Sequence, residues 1–409
     1  MIREKRPRVN IVSLYFHPDL SGTGQLLTDL AIGLTELGCD VYAYTTHPTF
    51  GPRVRLKGFD VYQGIRIHRL PSAQRDKDSR IGRVLNEVTF FVSTLWVLLT
   101  TRTAGPLLIV SHPAFLAFAG YLLAILKGQR YVYLVHDVFP DAAVTLGYIS
   151  PNGPVRRIWD WINRLSVRNA ARVVVLCESM KGIMMKKGDS PTGGERFHVI
   201  HNWVDEDFIR PLERSRNQFV REHGLEDKFV VLYSGNIGRS QDLETVIAAA
   251  ESLRDPEVVF LFIGDGGKRQ KLEALVRERG LDHVRFLPYQ PREVLPFSLT
   301  CADVSLVALE KGIEGLSMPS KLYAILASGT PVVALVEKGL DVARIIEDAG
   351  CGRVVNPDDA SALVEVLDGY RADREARARD GRRGREYLEA HFSRRRAVHE
   401  YYELLRPLQ

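Results

Sequence analysis

Phe229-Val230-Val231-Leu232-Tyr233-Ser234-Gly235-Asn236-Ile237-Gly238-Arg239 decides how this chain reads. Five apolar residues in a row, branched or aromatic, suit a strand buried on both faces. The glycines after them suit a tight loop, and a helix-patterned run from Asp242 to Leu253 follows. The same unit stands near the start of the chain. There Val9-Asn10-Ile11-Val12-Ser13-Leu14-Tyr15 leads to a loop ending Ser21-Gly22-Thr23-Gly24, then to a helix-patterned run from Gln25 to Leu37. Two such units predict an α/β fold of two Rossmann-like parallel-sheet domains facing a cleft.

Outward from these units the alternation continues. Strand-like runs recur at 41–44, 107–110, 131–135, 173–176 and 197–200, and in the second half at 258–263, 284–287, 304–307, 331–335 and 352–355. The polar stretch from Asp205 to Glu222 marks the boundary. The expected domains are 1–205, 206–385 and a closing helical segment, 386–409, that packs back on the first. Right-handed crossovers bring the loops 235–239, 264–267 and 310–319 to one sheet edge.

At 409 residues and a net charge of +5, the chain is long enough for two cores and does not demand nucleic acid. Basic clusters stand at Arg3, Lys5, Arg6 and Arg8, and at Arg75, Lys77, Arg80 and Arg83. The Arg- and Glu-rich stretch from Arg371 to Arg396 reads as a solvated helix face. Cys39, Cys177, Cys301 and Cys351 form no CxxC pair and read as reduced, buried thiols of a cytosolic protein. No signal peptide is expected at the start. The apolar segments 90–99 and 114–126 each fall short of the ~20 residues needed to span a bilayer. They read as buried helices on the first sheet. The second reading is an apolar patch that, with nearby cations, rests on the cytosolic membrane face.

Three glycine loops at one edge suit a phosphate-bearing ligand, because glycine lets backbone approach closely and helix N-termini present free amides. Arg239 supplies a fork of donors. Lys321, opening the helix after Glu314-Gly315-Leu316-Ser317-Met318-Pro319-Ser320, supplies a second cation. There is no GxSxG elbow and no P-loop. No His/Cys cluster has metal-ligand spacing, and no metal is expected.

These motifs together resemble a glycosyltransferase of family 4, the retaining, nucleotide-sugar-dependent group with the two-domain GT-B fold. The blocks that carry the resemblance are Tyr15–Gly24, Val135-His136-Asp137, His201–Asp205, Phe262–Gly266, and Pro319–Tyr323 with Ala327–Val333. The branch is the one that builds bacterial surface polysaccharides and resembles fucosamine-type transferases. The resemblance implies a nucleoside-diphosphate sugar donor, a UDP-sugar, held by Gly235, Asn236, Arg239, Gly264, Asp265, Gly266, Pro288, Tyr289, Ser317, Met318, Pro319, Ser320 and Lys321. The base lies against Phe286–Tyr289. His136 and Glu314 are the expected catalytic residues. His17, Asp19, Gly22, Thr23 and Asp137 meet a glycan or polyprenyl-linked sugar acceptor, in the cytoplasm or at the inner membrane face. His112 is a competing candidate on the same edge as His136. Two departures from the family pattern stand out. Asn236 and Gln241 occupy places where many members carry Arg and Lys, and Ala324 and Leu316 occupy the places of two glutamates, with Glu314 two residues before the latter. The rival readings are a nucleotide-sugar 2-epimerase of the same fold and a non-catalytic nucleotide-sugar-binding subunit.

Overall fold

The computed structural model describes residues 6–19, 21–48, 56–75, 80–188 and 194–409. Arg3, Lys5, Leu20 and Lys77 lie outside the described residues, as does the side chain of Arg80. The chain divides into two compact units: Met1–Asn202 with Arg394–Gln409, and Trp203–Ser393.

The first unit contains β1 (Arg8–Val12), α1 (Gly22–Glu36), β2 (Asp40–Thr45), β3 (Phe59–Tyr62), β4 (Ile65–Arg69), α2 (Arg80–Thr100), β5 (Leu107–Val110), α3 (Leu116–Lys127), β6 (Tyr131–Val135), α4 (Asp141–Thr145), α5 (Pro154–Asn169), β7 (Arg172–Val175), α6 (Glu178–Lys187) and β8 (Phe197–Val199). Its sheet runs β3-β4-β2-β1-β5-β6-β7-β8. Only β3 and β4 pair antiparallel among the described strands. The central strands β5 and β6 are buried at every residue, as their uninterrupted apolar runs require.

The second unit contains α7 (Gln218–Glu222), β9 (Phe229–Ser234), α8 (Glu244–Ser252), β10 (Val258–Ile263), α9 (Arg269–Glu278), β11 (Val284–Leu287), α10 (Leu295–Leu299), β12 (Val304–Ala308), α11 (Lys321–Ser328), β13 (Val332–Leu335), α12 (Asp341–Ala349), β14 (Gly352–Val355), α13 (Ala360–Ala372) and α14 (Arg374–His391). All pairings in its sheet, β11-β10-β9-β12-β13-β14, are parallel. The chain winds outward from β9 in one direction and from β12 in the other. Their carboxyl ends therefore form the switch point at which such sheets bind ligands. A last helix, α15 (Arg394–Leu405), returns to the first unit. The units divide at Asn202/Trp203 and Ser393/Arg394 instead of 205/206 and 385/386, because α14 continues unbroken through residue 386.

Two expectations need correction. The segment 90–99 is the second half of α2, a 21-residue helix. Its stretch Ile81–Thr100 is long and apolar enough to cross a membrane. Nor is α2 buried: Asn86, Phe90, Thr94 and Leu98 face inward, while Ile81, Val84, Leu85, Val88, Val92 and Trp96 are exposed. One face of a helix is all that the unit beneath it covers. The stretch 371–396 is not a single solvated face either. It spans three helices, and Asp380 within it is buried, with Arg353 and Tyr370 bonded to its Oδ2 at 3.0 and 2.8 Å. All four cysteines are free and buried.

Candidate functional site

At the switch point of the second sheet the loops after β9 and β10 interlock through their backbones. The Gly235 amide donates to the Ile263 carbonyl at 2.8 Å, and the Ile237 amide to the Asp265 carbonyl at 2.9 Å. The fit leaves no room for side chains. A Cβ on Gly264 would stand 1.9 Å from the Gly235 carbonyl oxygen, at a φ of +147° that disfavours other residues anyway. Gly266 meets the Ile237 carbonyl in the same way, at 2.5 Å. Asp265 holds its own turn, its Oδ1 accepting from the Gly266 amide at 2.8 Å.

Lys321, first residue of α11, reaches under this loop. Its Nζ donates to the Tyr233 hydroxyl and sits 3.7 Å from the centroid of that ring. A Cβ on Gly235 would stand 3.4 Å from that Nζ. Burial pulls the Lys321 pKa down to about 7. Among the described residues no carboxylate pairs with it. The Tyr233 hydroxyl in turn donates to the Asn236 carbonyl at 2.6 Å, which ties the lysine to the loop. Arg239 is exposed on the loop's outer part and Asn236 beside its start. Gln241 locks the loop, its Oε1 accepting from the Gly238 amide at 2.9 Å.

The sequence reading missed three side chains here. Tyr233, read only as a strand residue, is the seat of Lys321. Lys268 is a cation already spent: its Nζ bonds Glu310 at 2.6 Å, Glu244 at 2.8 Å and the Gln241 carbonyl at 2.9 Å. Arg269 donates to the Gly264 and Leu287 carbonyls at 2.6 and 3.2 Å, joining the ends of β10 and β11. Glycine spacing flags the loops, but no local signal says which cation finds a carboxylate.

In the loop before α11, Glu314 Oε1 accepts from the Val342 amide at 2.9 Å, so it caps the first turn of α12. Its Oε2 is buried without a partner. Burial pushes its pKa up to about 7. Met318 is buried, so that residue offers a ligand only its backbone, while Ser317, Pro319 and Ser320 lie nearer the surface. Beyond β11 the Pro288 carbonyl is taken by the Gln290 side-chain amide at 2.9 Å. Tyr289 is 57% exposed and presents an open ring.

In the first unit, the carboxyl ends of β5 and β6 bring His112, His136 and Asp137 together. Ser111 Oγ accepts from the His136 and Asp137 amides at 2.9 and 3.3 Å. Asp137, expected on the acceptor side, does not turn its carboxylate to its sequence neighbour His136. Its Oδ2 instead meets His112 Nε2 at 3.1 Å, because the bend after β6 turns it toward the neighbouring strand end. Burial lowers the His112 pKa, but the hydrogen bond and charge of Asp137 and the charge of Glu87 outweigh it, so the net shift is upward. His136 shifts the other way, to about 4, through burial and the charge of His112. It is a neutral imidazole whose Nδ1 lies 3.4 Å from the Thr23 hydroxyl. Gly22 opens α1 with open space above it. Asp19 is buried and accepts from the Ser21 amide at 2.9 Å, which makes it a loop anchor. His17 is stacked on Tyr62 at 3.6 Å between ring centroids.

Comparison with known proteins matches these two units to two family models. "Glycosyl transferase 4-like domain" matches residues 21–203, and "Glycosyl transferases group 1" matches residues 215–387. The chain is 30% identical over 295 residues to a probable glycosyltransferase, WbjE, of Pseudomonas aeruginosa, covering 72% of this chain and 73% of the relative. It is 28% identical over 370 residues to the putative colanic acid biosynthesis glycosyl transferase WcaI of Escherichia coli strain K12, covering 87% and 90%. Two solved structures share the fold. Sucrose-phosphate synthase from Thermosynechococcus elongatus superposes with a TM-score of 0.79 at 19% identity, covering 98% of this chain and 99% of that one. Anabaena HepE in complex with UDP-glucose superposes with a TM-score of 0.74 at 14% identity, covering 98% and 100%.

Proposed function

The chain belongs to the glycosyl transferases of group 1, with a glycosyl transferase 4-like first half, and from that premise we propose how it transfers sugar. The donor is a nucleoside-diphosphate sugar, a UDP-sugar as in the HepE complex. The acceptor is a hydroxyl of a glycan or polyprenyl-linked sugar in surface polysaccharide synthesis, the field of the relative WcaI.

One observation carries the donor assignment: a buried lysine that no carboxylate among the described residues pairs with, beneath a glycine loop at the switch point. A buried cation without a counter-charge is costly. A diphosphate at that loop supplies the counter-charge, with Arg239 from the exposed side and the amides of Ser317–Ser320 from the start of α11. These cations meet the charge without a metal ion. As the sugar–phosphate bond breaks, charge grows on the leaving diphosphate, and fixed donors stabilise that state more than the ground state. The acceptor oxygen bonds the anomeric carbon on the face the phosphate leaves. Its proton passes to the departing phosphate oxygen, so configuration is retained. Neutral His136 offers the donor sugar a hydrogen-bonding partner at any pH above its pKa. The unpartnered Oε2 of Glu314 accepts from a donor hydroxyl, and Tyr289 offers its ring to the base.

The test is a thermal-shift screen across nucleoside diphosphates, with product release from the matching nucleotide sugar. UDP raises the midpoint of the wild-type protein, and Lys321→Met abolishes both the shift and turnover. Full UDP binding by Lys321→Met would remove the basis of the assignment.

A further inference from the structure

The first unit carries an apolar surface that the transfer reading does not use. Along α2 the exposed residues Ile81, Val84, Leu85, Val88, Val92 and Trp96 repeat at helical spacing, forming one stripe roughly 22 Å long at 1.5 Å per residue. The stripe continues onto neighbouring helices. α3 packs against both α2 and α5. It adds exposed Ile125 and Leu126, and α5 adds Val155, Ile158 and Trp161, the last 57% exposed. Rings join the three helices: Phe91 lies 6.5 Å from Phe118, and Phe118 lies 6.3 Å from Trp161.

Charge on this surface has one sign. Exposed arginines stand among the apolar residues: Arg83 on α2, Arg102 just beyond it, and Arg157, Arg164 and Arg168 on α5. The last three share a helix row with Trp161. The three helices carry only two acids. Asp160 is engaged by Lys187 and Arg156 at 2.9 and 3.4 Å, and Glu87 is drawn inward beside His112 and Arg83.

We propose that this face of α2, α3 and α5 docks on a bilayer containing anionic phospholipid. Arginine beside tryptophan suits the headgroup layer, where the ring sits at the boundary and the cation meets phosphate. The helix α2 lies in the interface and does not span, because its other face is built into the unit. Asn86 exchanges bonds of 2.7 and 2.9 Å with the Arg75 backbone, and the Ser93 hydroxyl bonds the Pro71 carbonyl at 2.7 Å. The surface adjoins the histidine cluster. Phe139 stacks on Trp159 of α5 at 5.6 Å and stands edge-on to His112 at 6.0 Å. A polyprenyl-borne acceptor held in the membrane then meets the unit beside that cluster. The docking rests on the first unit's surface alone and stands independently of the donor assignment.

Co-sedimentation of the full chain with vesicles tests it. The wild type pellets with phosphatidylcholine mixed with phosphatidylglycerol, and far less with phosphatidylcholine alone or at high salt. Trp96→Asp with Trp161→Asp weakens partitioning about tenfold or more. Arg157→Gln with Arg164→Gln weakens it about fivefold for each arginine. Both double variants keep the wild-type circular dichroism and the hydrogen-exchange protection of β5 and β6, which shows that the first unit folds, and both keep the thermal shift given by UDP. Two results overturn the proposal. One is vesicle binding that is absent or unchanged in the variants. The other is light scattering that finds a wild-type dimer, monomeric in the tryptophan variant, without vesicle binding, which makes the patch a contact between copies. Failure here leaves UDP binding intact, whereas failure of the donor assignment leaves vesicle binding intact.

Discussion

Lys321 is where residue chemistry and function meet most closely. An ordinary lysine is protonated at pH 8, but this one, with a pKa near 7, is mostly neutral there. A diphosphate placed against it restores the charged form. Binding of UDP at pH 8 therefore takes up close to one proton, measurable by calorimetry in buffers of different ionisation enthalpy. Lys321→Met takes up none. The sign for the ligand-free protein follows from the same shift. Between about 7 and the ordinary value of 10.5 the unfolded chain binds more protons, so stability rises with pH across that window. A wild-type protein whose UDP binding at pH 8 moves no proton has no such lysine at the phosphates. The Pro319-Ser320-Lys321 block made this residue visible in the sequence. Its burial against Tyr233 was not visible, because that contact joins positions 88 apart. The same holds for His112. Asp137 adjoins His136 in the sequence, whereas the fold gives its carboxylate to a residue from the next strand.

Elements were more legible than their contacts. Uninterrupted apolar runs such as Val258–Ile263 announce strands buried on both faces, and the structure buries all six of those residues. The hairpin β3–β4 went unread, although Gln63 and Gly64 form its two-residue turn with φ of 48° and 83°. Only one of those two is a residue that commonly takes such angles, so the turn signal was weak. The loops after β9 and β10 give a sharp prediction at this scale. Gly264→Ala drives a methyl into the Gly235 carbonyl and demands a strained φ. It costs about 3 kcal/mol or more in urea unfolding and weakens UDP binding as well. Alanine tolerated without loss in both measurements would mean that the loops are not interlocked. The capping of α12 gives another. Glu314→Ala removes a cap and costs about 1 kcal/mol, while Glu314→Gln retains an acceptor for the Val342 amide. Because burial raises the Glu314 pKa to about 7, its favourable term is present below pH 4.5 and lost as pH rises through 7. Urea titrations should thus show Glu314→Gln gaining on the wild type between pH 5 and 8, and a constant difference would contradict the buried carboxylate.

At the scale of the whole chain, the order of the sequence and the order of the structure part company at the end. The last helix, α15, follows the second unit in sequence but belongs to the first in space. The sequence reading has a closing segment, 386–409, packing back on the first domain, but the charged opening Arg394-Arg395-Arg396 reads as solvated and gives no sign of where that return begins. The inward row Ala397, Val398, Tyr401, Leu404 and Leu405 is short and interrupted. Its complement lies hundreds of residues away on α1, where Gly33 leaves space that Val398 fills, with a Cβ there only 2.5 Å from the valine methyl. Arg394 reaches Glu36 at 3.4 Å, and the Gln409 side chain accepts from the Arg8 amide at 2.8 Å. Burial of Val398, Tyr401 and Leu405 contributes about 1.5–3 kcal/mol each before entropy is counted. A chain ended after Ser393 keeps every element of the second unit and strips one face of α1. Hydrogen exchange should show the amides of α1 and β2 losing protection by several kcal/mol, while those of β9 and β10 stay as protected as in the full chain. UDP should still shift the melting of the second unit, because the interlocked loops and Lys321 lie within it. Equal loss of protection in both sheets would show that the two units do not fold as separate cores, and unchanged protection in α1 would show that α15 contributes nothing to the first.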